Sequence, residues 1–167
     1  MTTGTTLQTI DLIVTGVTGV GKTTFIKTIS QNTDHTHSDG WFTGHVQIDD
    51  GLDALFMEPP ASASFDFMWQ REMIEESEVH GYIVVCDSTR PEHFGEMIGI
   101  LETIRAFHPG TPVIVAANKQ DQPAAWNVDD IRMGLGIPAD IPVMPCVAKD
   151  VDGVSTIVIR LLEALWQ

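Results

Sequence analysis

The clearest chemical signal in the chain lies in residues 16–23, which read Gly-Val-Thr-Gly-Val-Gly-Lys-Thr and fit G-x-x-x-x-G-K-[ST] at every fixed position. Glycines let the backbone wrap around phosphate groups, and the helix expected near Lys22 directs its positive end toward the same oxygens. The pattern predicts a phosphate-binding loop in which Lys22 contacts the β- and γ-phosphates and Thr23 ligates Mg²⁺. The residues expected to line the nucleotide here are Gly16, Val17, Thr18, Gly19, Val20, Gly21, Lys22, Thr23 and Thr24.

A second motif indicates which base is bound. The apolar run 113–117 leads into Asn118, Lys119, Gln120 and Asp121. A carboxylate such as Asp121 accepts hydrogen bonds from guanine N1–H and N2–H₂, whereas adenine would leave its charge unpaired. We expect Asn118 and Lys119 to brace the pocket, with the lysine stem along the purine plane. Asn-Lys-x-Asp therefore predicts guanine.

These motifs resemble those of Ras-like small GTPases, and the resemblance covers nearly the whole chain. Val147, Ala148 and Lys149 are similar to the Ser-Ala-Lys turn of that family, where a backbone N–H contacts guanine O6. More narrowly, the peptides 67–69, 87–92, 116–121 and 145–148 resemble bacterial small GTPases of the gliding-motility MglA type. Many of those are encoded beside Roadblock/LC7-domain proteins, so the resemblance implies a protein partner, with a Roadblock/LC7-type protein as one possibility.

The chain departs from the family where the latter carries Asp-x-x-Gly-Gln, because residues 58–62 read Glu-Pro-Pro-Ala-Ser. We expect Glu58 to hold Mg²⁺ through water, less well positioned than an aspartate. Ser62 stands where the family's glutamine orients the attacking water, and its hydroxyl is too short to reach. Thr18 crowds the γ-phosphate where many relatives have glycine. Thr18 and Ser62 are thus only weak catalytic candidates, and slow intrinsic GTP hydrolysis is predicted.

The first switch segment offers Thr36, Ser38 and Thr43 as Mg²⁺ ligands, and counting back from the next hairpin favours Ser38. Arg71 and Arg90 are candidate arginine fingers, although a solvated or structural ion-pair role is favoured for each. The neighbouring pair at residues 41–42, Trp-Phe, fits either an exposed docking edge or a plug at an edge strand.

Composition predicts one globular domain over residues 1–167, with 43% hydrophobic and 19% charged residues. The net charge of −14 argues against nucleic acid and anionic membranes as partners. With no apolar run of about 18 residues, signal-peptide pattern or prenylation cysteine, we expect a cytoplasmic protein without a direct membrane anchor. Cys86 and Cys146, at predicted strand ends, are expected to be free buried thiols.

The hydrophobic pattern predicts strands at 8–15, 43–49, 52–58, 81–87, 112–117 and 142–145. Helices are predicted at 22–30, 62–78, 92–107, 128–135 and 152–166. The last helix is expected to pack into the core. An Asp-Gly turn at residues 50–51 makes the second and third strands antiparallel, while strand–helix alternation makes the others parallel. The resemblance implies the α/β small G domain of P-loop NTPases, with a six-stranded mostly parallel sheet, one antiparallel strand and helices on both faces, and the predicted elements agree with it.

The resemblance and the motifs together imply a GTP/GDP- and Mg²⁺-binding small GTPase that acts in signalling or regulation through a protein partner. A non-hydrolysing pseudo-GTPase scaffold for a Roadblock-like partner is the alternative. An adenine-nucleotide phosphotransferase or ATPase is less favoured, because it gives no reason for the residues at 118–121.

Overall fold

The fold is a seven-stranded sheet in the order β2-β3-β4-β1-β5-β6-β7. The computed structural model describes residues 8–34, 40–60 and 78–167. The strands are β1 Gln8–Thr15, β2 Asn32–Asp34, β3 Phe42–Asp49, β4 Leu52–Glu58, β5 Gly81–Asp87, β6 Val113–Asn118 and β7 Val143–Pro145. Predicted and observed strand bounds differ by at most one residue for every predicted strand.

Strand β3 is the antiparallel strand that the Asp-Gly turn predicted. It runs antiparallel to β4, while β1, β4, β5, β6 and β7 pair in parallel. Gly51 takes a φ of 89° in the turn, and the pairing register shifts between Gln47 and Asp49. The short strand β2 was not predicted. It pairs antiparallel with β3 at one edge, so β3 is still the strand that opposes all the others.

Helices cover both faces, which confirms the predicted fold class. The helices are α1 Lys22–Ile29, α2 Phe94–Phe107, α3 Val128–Leu135 and α4 Val151–Leu165, and a short 3-10 turn Pro91–His93 precedes α2. Side chains alternate along β1, so that Leu12 and Val14 join the core with α1 and α4, whereas Ile13 joins the core with α2 and α3. Each face of the sheet therefore has its own apolar core.

Helix α4 is a core helix, as predicted, since Val154, Ile157 and Leu161 are buried. Phe42 is also buried, with the Lys27 ammonium 5.9 Å from its ring centroid, so this residue packs into the core and is not an exposed docking edge. The outer strand on this side of the sheet is β2 and not β3. Trp41 beside it is half-buried. The helix predicted at 62–78 falls almost entirely outside the described residues. Among the helices that the structure describes, none is long and apolar enough to cross a bilayer.

Candidate nucleotide-binding site

The predicted binding residues converge at the carboxyl ends of the parallel strands. Strand β1 leads into the loop at residues 16–21, β4 ends at Glu58, β5 at Asp87 and β6 at Asn118. In open α/β sheets, ligands bind in the crevice outside these strand ends. The sheet order places β1 between β4 and β5, so residues far apart in sequence surround one loop.

Two glycines of the loop lie where a side chain would not fit. Gly16 has a φ of 150°, and a Cβ built there would overlap the carbonyl oxygen of Val85 in β5. Gly21 has a φ of 106°, and its Cβ would overlap the side-chain amide of Asn118. The fixed glycines of the motif therefore allow close packing of the loop on β5 and β6 as well as positive φ values.

Lys22 is held over the loop that it follows. Its ammonium donates to the carbonyl oxygens of Gly16 at 2.9 Å and Val17 at 3.0 Å. Burial lowers the pKa of Lys22, and the nearby Glu58 carboxylate opposes that shift. A cation enclosed by carbonyls at a helix start is suited to an anionic ligand such as a phosphate.

Thr23 and Glu58 form the oxygen pair expected of a Mg²⁺ site. The Thr23 hydroxyl donates to Glu58 Oε2 at 2.6 Å. The donated proton points to the carboxylate, so the hydroxyl lone pairs are free to face a metal. Oxygen donors of this kind fit Mg²⁺, which is usually held by one or two protein groups together with waters and phosphates. The glutamate, although longer than an aspartate, thus reaches the first residues of α1.

Asn118 connects the three nucleotide motifs. Its Nδ2 donates to the carbonyl oxygen of Val20 at 2.8 Å, and its Oδ1 accepts from the Ala148 N–H at 2.8 Å. The side chain is buried, with 4% of the residue exposed. Since both ends of the amide are used internally, Asn118 braces the pocket between the phosphate loop and the turn after β7.

Lys119 is braced on the other side. Its ammonium lies 2.7 Å from Asp87 Oδ2 and 3.4 Å from the Gly19 carbonyl oxygen. Asp87 is 5% exposed and also accepts from the Thr89 N–H and hydroxyl. Burial alone would raise the pKa of Asp87, but the hydrogen bonds from Lys119 and Thr89 outweigh it and lower the pKa below its usual value.

An open cleft of about 280 Å³ lies beside these braces. It is lined by Gly19, Gly21, Thr24, Asn118, Lys119, Asp121, Gln122, Val147, Ala148 and Lys149. Asp121 keeps 43% of its side chain exposed, and its carboxylate is 3.7 Å from the Lys149 ammonium. The exposed carboxylate is available to a ligand, as the guanine prediction requires.

Other predicted residues do not line the cleft or lie outside the described residues. Thr18 is exposed on the phosphate loop. Arg90 pairs with Glu92 at 3.0 Å, and both side chains are more than half exposed, which fits the ion-pair role favoured for it. Four of the predicted residues lie outside the described residues, namely Thr36, Ser38, Ser62 and Arg71. Thr43, the remaining candidate for a Mg²⁺ ligand from the first switch, is buried in β3.

Three residues with a part in the site were not assigned one from the sequence, namely Asp87, Ser88 and Gln120. Gln120 donates to the Ser88 hydroxyl at 2.9 Å and to the Trp126 carbonyl at 2.8 Å. The available signal was the charged residue Asp87 directly after the apolar run 82–86. A charge at the end of a central strand is costly to bury and therefore needs a partner.

The two cysteines flank the site without entering it. Cys86 and Cys146 are free and buried. Burial raises the pKa of both thiols to about 12, with the neighbouring carboxylates of Asp87 and Asp150 adding to the shift. Such thiols stay protonated at neutral pH and are poor nucleophiles.

Comparison with curated proteins finds ADP-ribosylation factor-like proteins. Protein 13B of Chlamydomonas reinhardtii is 26% identical over 152 residues, which are 86% of this chain and 28% of that protein. Protein 9 of Homo sapiens is 28% identical over 129 residues, 75% of this chain and 67% of that protein. Protein 10 of Mus musculus is 27% identical over 135 residues, 80% of this chain and 54% of that protein. No family model matches the chain.

These distant homologues are Arf-like small GTPases, and they support the resemblance to the Ras-like superfamily. They do not single out the MglA type. The matched region spans between about a quarter and two thirds of each relative, because it covers 28% of the first and 67% of the second.

Proposed function

We propose that this protein is a guanine-nucleotide-binding small GTPase that regulates a process through a protein partner and hydrolyses GTP slowly on its own. It binds GTP or GDP with Mg²⁺, and we place it in the cytoplasm, near the MglA-type branch suggested by its short peptides. The expected partner is a protein, of which a Roadblock/LC7-domain protein is one candidate. The net charge of −14 argues against nucleic acid as a partner.

The observation that carries the proposal is the double hydrogen bond of the Asn118 side chain. It joins the carbonyl of Val20 in the phosphate loop to the N–H of Ala148 in the turn after β7. Three separate segments therefore meet at one buried amide, beside a cleft lined by Asp121. A polar turn that merely followed a buried strand would have no reason to bind both other motifs.

Slow hydrolysis is supported by the chemistry of two regions. Phosphoryl transfer depends on positioned water and charge stabilisation, and residues 58–62 offer neither the glutamine nor the glycine of the family. Thr18 adds an exposed side chain to the loop next to the expected γ-phosphate. Mg²⁺, when bound, would neutralise charge on the phosphates. Lys22 and the backbone N–H groups of the loop would bind the phosphate oxygens.

A non-hydrolysing scaffold is the second candidate, favoured by the half-buried prolines Pro59 and Pro60 directly after Glu58. Proline fixes φ and lacks an N–H donor, so the chain directly after β4 has less freedom to change between nucleotide states. In that case the protein would hold GDP and bind its partner equally well with either nucleotide.

The first experiment identifies the nucleotide that is released when the purified protein is denatured. We expect GDP or GTP, and a matched titration of wild type and Asp121→Asn should separate base recognition from phosphate binding. The asparagine side chain would present an amide donor where guanine also donates, so the affinity for GDP should fall at least about tenfold. Xanthosine diphosphate (XDP) has a carbonyl oxygen in place of the guanine amino group, so the affinity for XDP should rise. Release of adenine nucleotides, or equal GDP affinity in both proteins, would contradict the proposal.

The second experiment measures single-turnover cleavage of bound GTP, with and without a co-purified partner. Ordinary unassisted small GTPases cleave GTP at about 10⁻⁴ s⁻¹, and we expect a lower rate here. A rate in that ordinary range would contradict slow hydrolysis. Partner binding that depends on GTP would support the switch, and binding that is independent of the nucleotide would support the scaffold.

A further inference from the structure

We propose that Asp87, at the end of β5, is a positioning residue that acts through Lys119. It would fix the base-binding loop, which is the segment of residues 118–121 after β6. The inference rests on the proposed function, because it concerns how guanine would be held. Asp87 does not reach the cleft itself, since Lys119 and not Asp87 lines it. Its role would therefore be indirect, and it should appear in nucleotide retention.

Both carboxylate oxygens of Asp87 have their own partners. Oδ2 accepts from the Lys119 ammonium at 2.7 Å, while Oδ1 accepts from the Thr89 N–H at 2.9 Å and hydroxyl at 2.6 Å. An asparagine has one acceptor oxygen and could serve only one of these two sides. Its NH₂ group would face donors on the other, so the position requires a carboxylate.

The conformation of Lys119 needs such an anchor. Its φ of 67° makes it the non-glycine residue with positive φ in the described part of the chain. That backbone conformation is unfavourable for a side-chain-bearing residue and persists where its surroundings hold it. The ammonium lies between Asp87 and the Gly19 carbonyl, and Lys119 is one of the residues that line the cleft.

Ser88 provides a second anchor for the same loop. Its N–H donates to the Asn118 carbonyl at 3.1 Å, and its carbonyl accepts from the Trp126 N–H at 2.8 Å. Its hydroxyl accepts from Gln120 Nε2 at 2.9 Å. The last residue of β5 and the residue after it thus hold three consecutive residues of the base-binding loop, residues 118–120. Asp121 is the next residue after Gln120, so these contacts also determine where its carboxylate lies.

The test measures dissociation of N-methylanthraniloyl-GDP from wild type, Asp87→Asn, Lys119→Met and the double variant. Loss of one charge-assisted hydrogen bond should make dissociation from Asp87→Asn about tenfold faster. Because Asp87 acts through Lys119, the double variant should dissociate no faster than Lys119→Met, within about twofold. A merely structural aspartate would instead give multiplying effects, and that result overturns the assignment.

Asp140→Asn is the matched control. It removes a carboxylate from an ion pair with Arg105, but this pair is exposed and neither residue lines the cleft. We expect its dissociation rate to equal that of wild type. Thermal melting of every variant shows whether it is folded, and if Asp87→Asn does not fold, Thr89→Val decides. That variant keeps the ion pair and loses one hydrogen bond, so about threefold faster dissociation supports the assignment and an unchanged rate overturns it.

The two proposals fail in different ways. Wild type that binds no labelled GDP overturns the proposed function and the assignment with it. Wild type that binds labelled GDP, while Asp87→Asn releases it at the wild-type rate, overturns the positioning role and leaves the proposed function standing.

Discussion

At the scale of single residues, the site depends on how closely its backbone segments approach one another. Asn118 can bind Val20 because Gly21 leaves room for its amide. The glycine is therefore needed twice, for its φ of 106° and for the missing Cβ. The glycines of the phosphate-binding loop, which are usually explained by phosphate binding, therefore also allow contact with the base-binding loop here.

Gly21→Ala tests this second need against Gly110→Ala. Gly110 has a φ of 85° with nothing within 4 Å of its Cβ position, so alanine there should cost only backbone strain, about 1 kcal/mol. Gly21→Ala adds overlap with Asn118 and should cost about 1–3 kcal/mol more in the free energy of unfolding. Chemical denaturation of both variants provides the comparison. Equal losses would show that the contact with Asn118 is unimportant.

How far the site could be predicted depends on whether a residue belongs to a contiguous motif. Lys22, Asn118 and Asp121 were identified because their neighbours in sequence define the pattern. Asp87 was not assigned a role from the sequence, because its partner Lys119 is 32 residues away and the pair exists only when β5 lies beside β6. Contacts across a sheet have no local signature.

At the scale of elements, local pattern predicts β5, whereas β2 depends on contacts across the sheet. The residues of β5 are buried on both faces, so the strand is a continuous apolar run whose ends could be predicted from the sequence. Strand β2 has the sequence Asn-Thr-Asp, in which two of the three residue types are depleted in strands, and it exists through pairing with β3. Tertiary pairing made a strand from a segment whose composition favours a turn.

Helix α1 packs directly on β3 at Gly44, which gives the prediction for this scale. A Cβ at Gly44 would overlap the Ser30 hydroxyl and lie 2.6 Å from Ile26 Cγ2. Gly44→Ala should therefore force the helix from the sheet and cost about 1–3 kcal/mol in the free energy of unfolding.

Gly99→Ala is the matched substitution with the opposite expected sign. Gly99 is exposed in the middle of α2, and its Cβ would meet nothing within 4 Å. Alanine favours the helix by about 0.5–1 kcal/mol over glycine, so this variant should unfold at higher denaturant concentration. If Gly44→Ala were as stable as wild type, the close approach of α1 and β3 would be wrong.

At the scale of the whole molecule, the chain has 9 basic and 23 acidic residues, and several of the basic residues are concentrated in the nucleotide motifs. Three of the four lysines, Lys22, Lys119 and Lys149, belong to the predicted nucleotide motifs. Arg105 pairs with Asp140, and Arg132 donates to the carbonyls of Pro138 and Ile141. These five of the nine basic residues thus belong to the predicted site or make local contacts, whereas acidic residues outnumber basic ones by 14 over the whole chain.

Self-repulsion among these carboxylates should make stability depend on salt. Raising NaCl from about 0.02 M to about 0.2 M shortens the Debye length from roughly 20 Å to roughly 7 Å, which weakens repulsion between surface charges. At pH 7 with saturating GDP, we expect the melting temperature to rise by about 3 °C, equivalent to about 1 kcal/mol for a domain of this size.

KCl should give the same shift, because screening depends on ionic strength. The shift should vanish near pH 4.5, where the sequence predicts a net charge close to zero. A melting temperature that falls with salt at pH 7 would mean that specific ion pairs, and not net repulsion, dominate the electrostatic free energy of the fold.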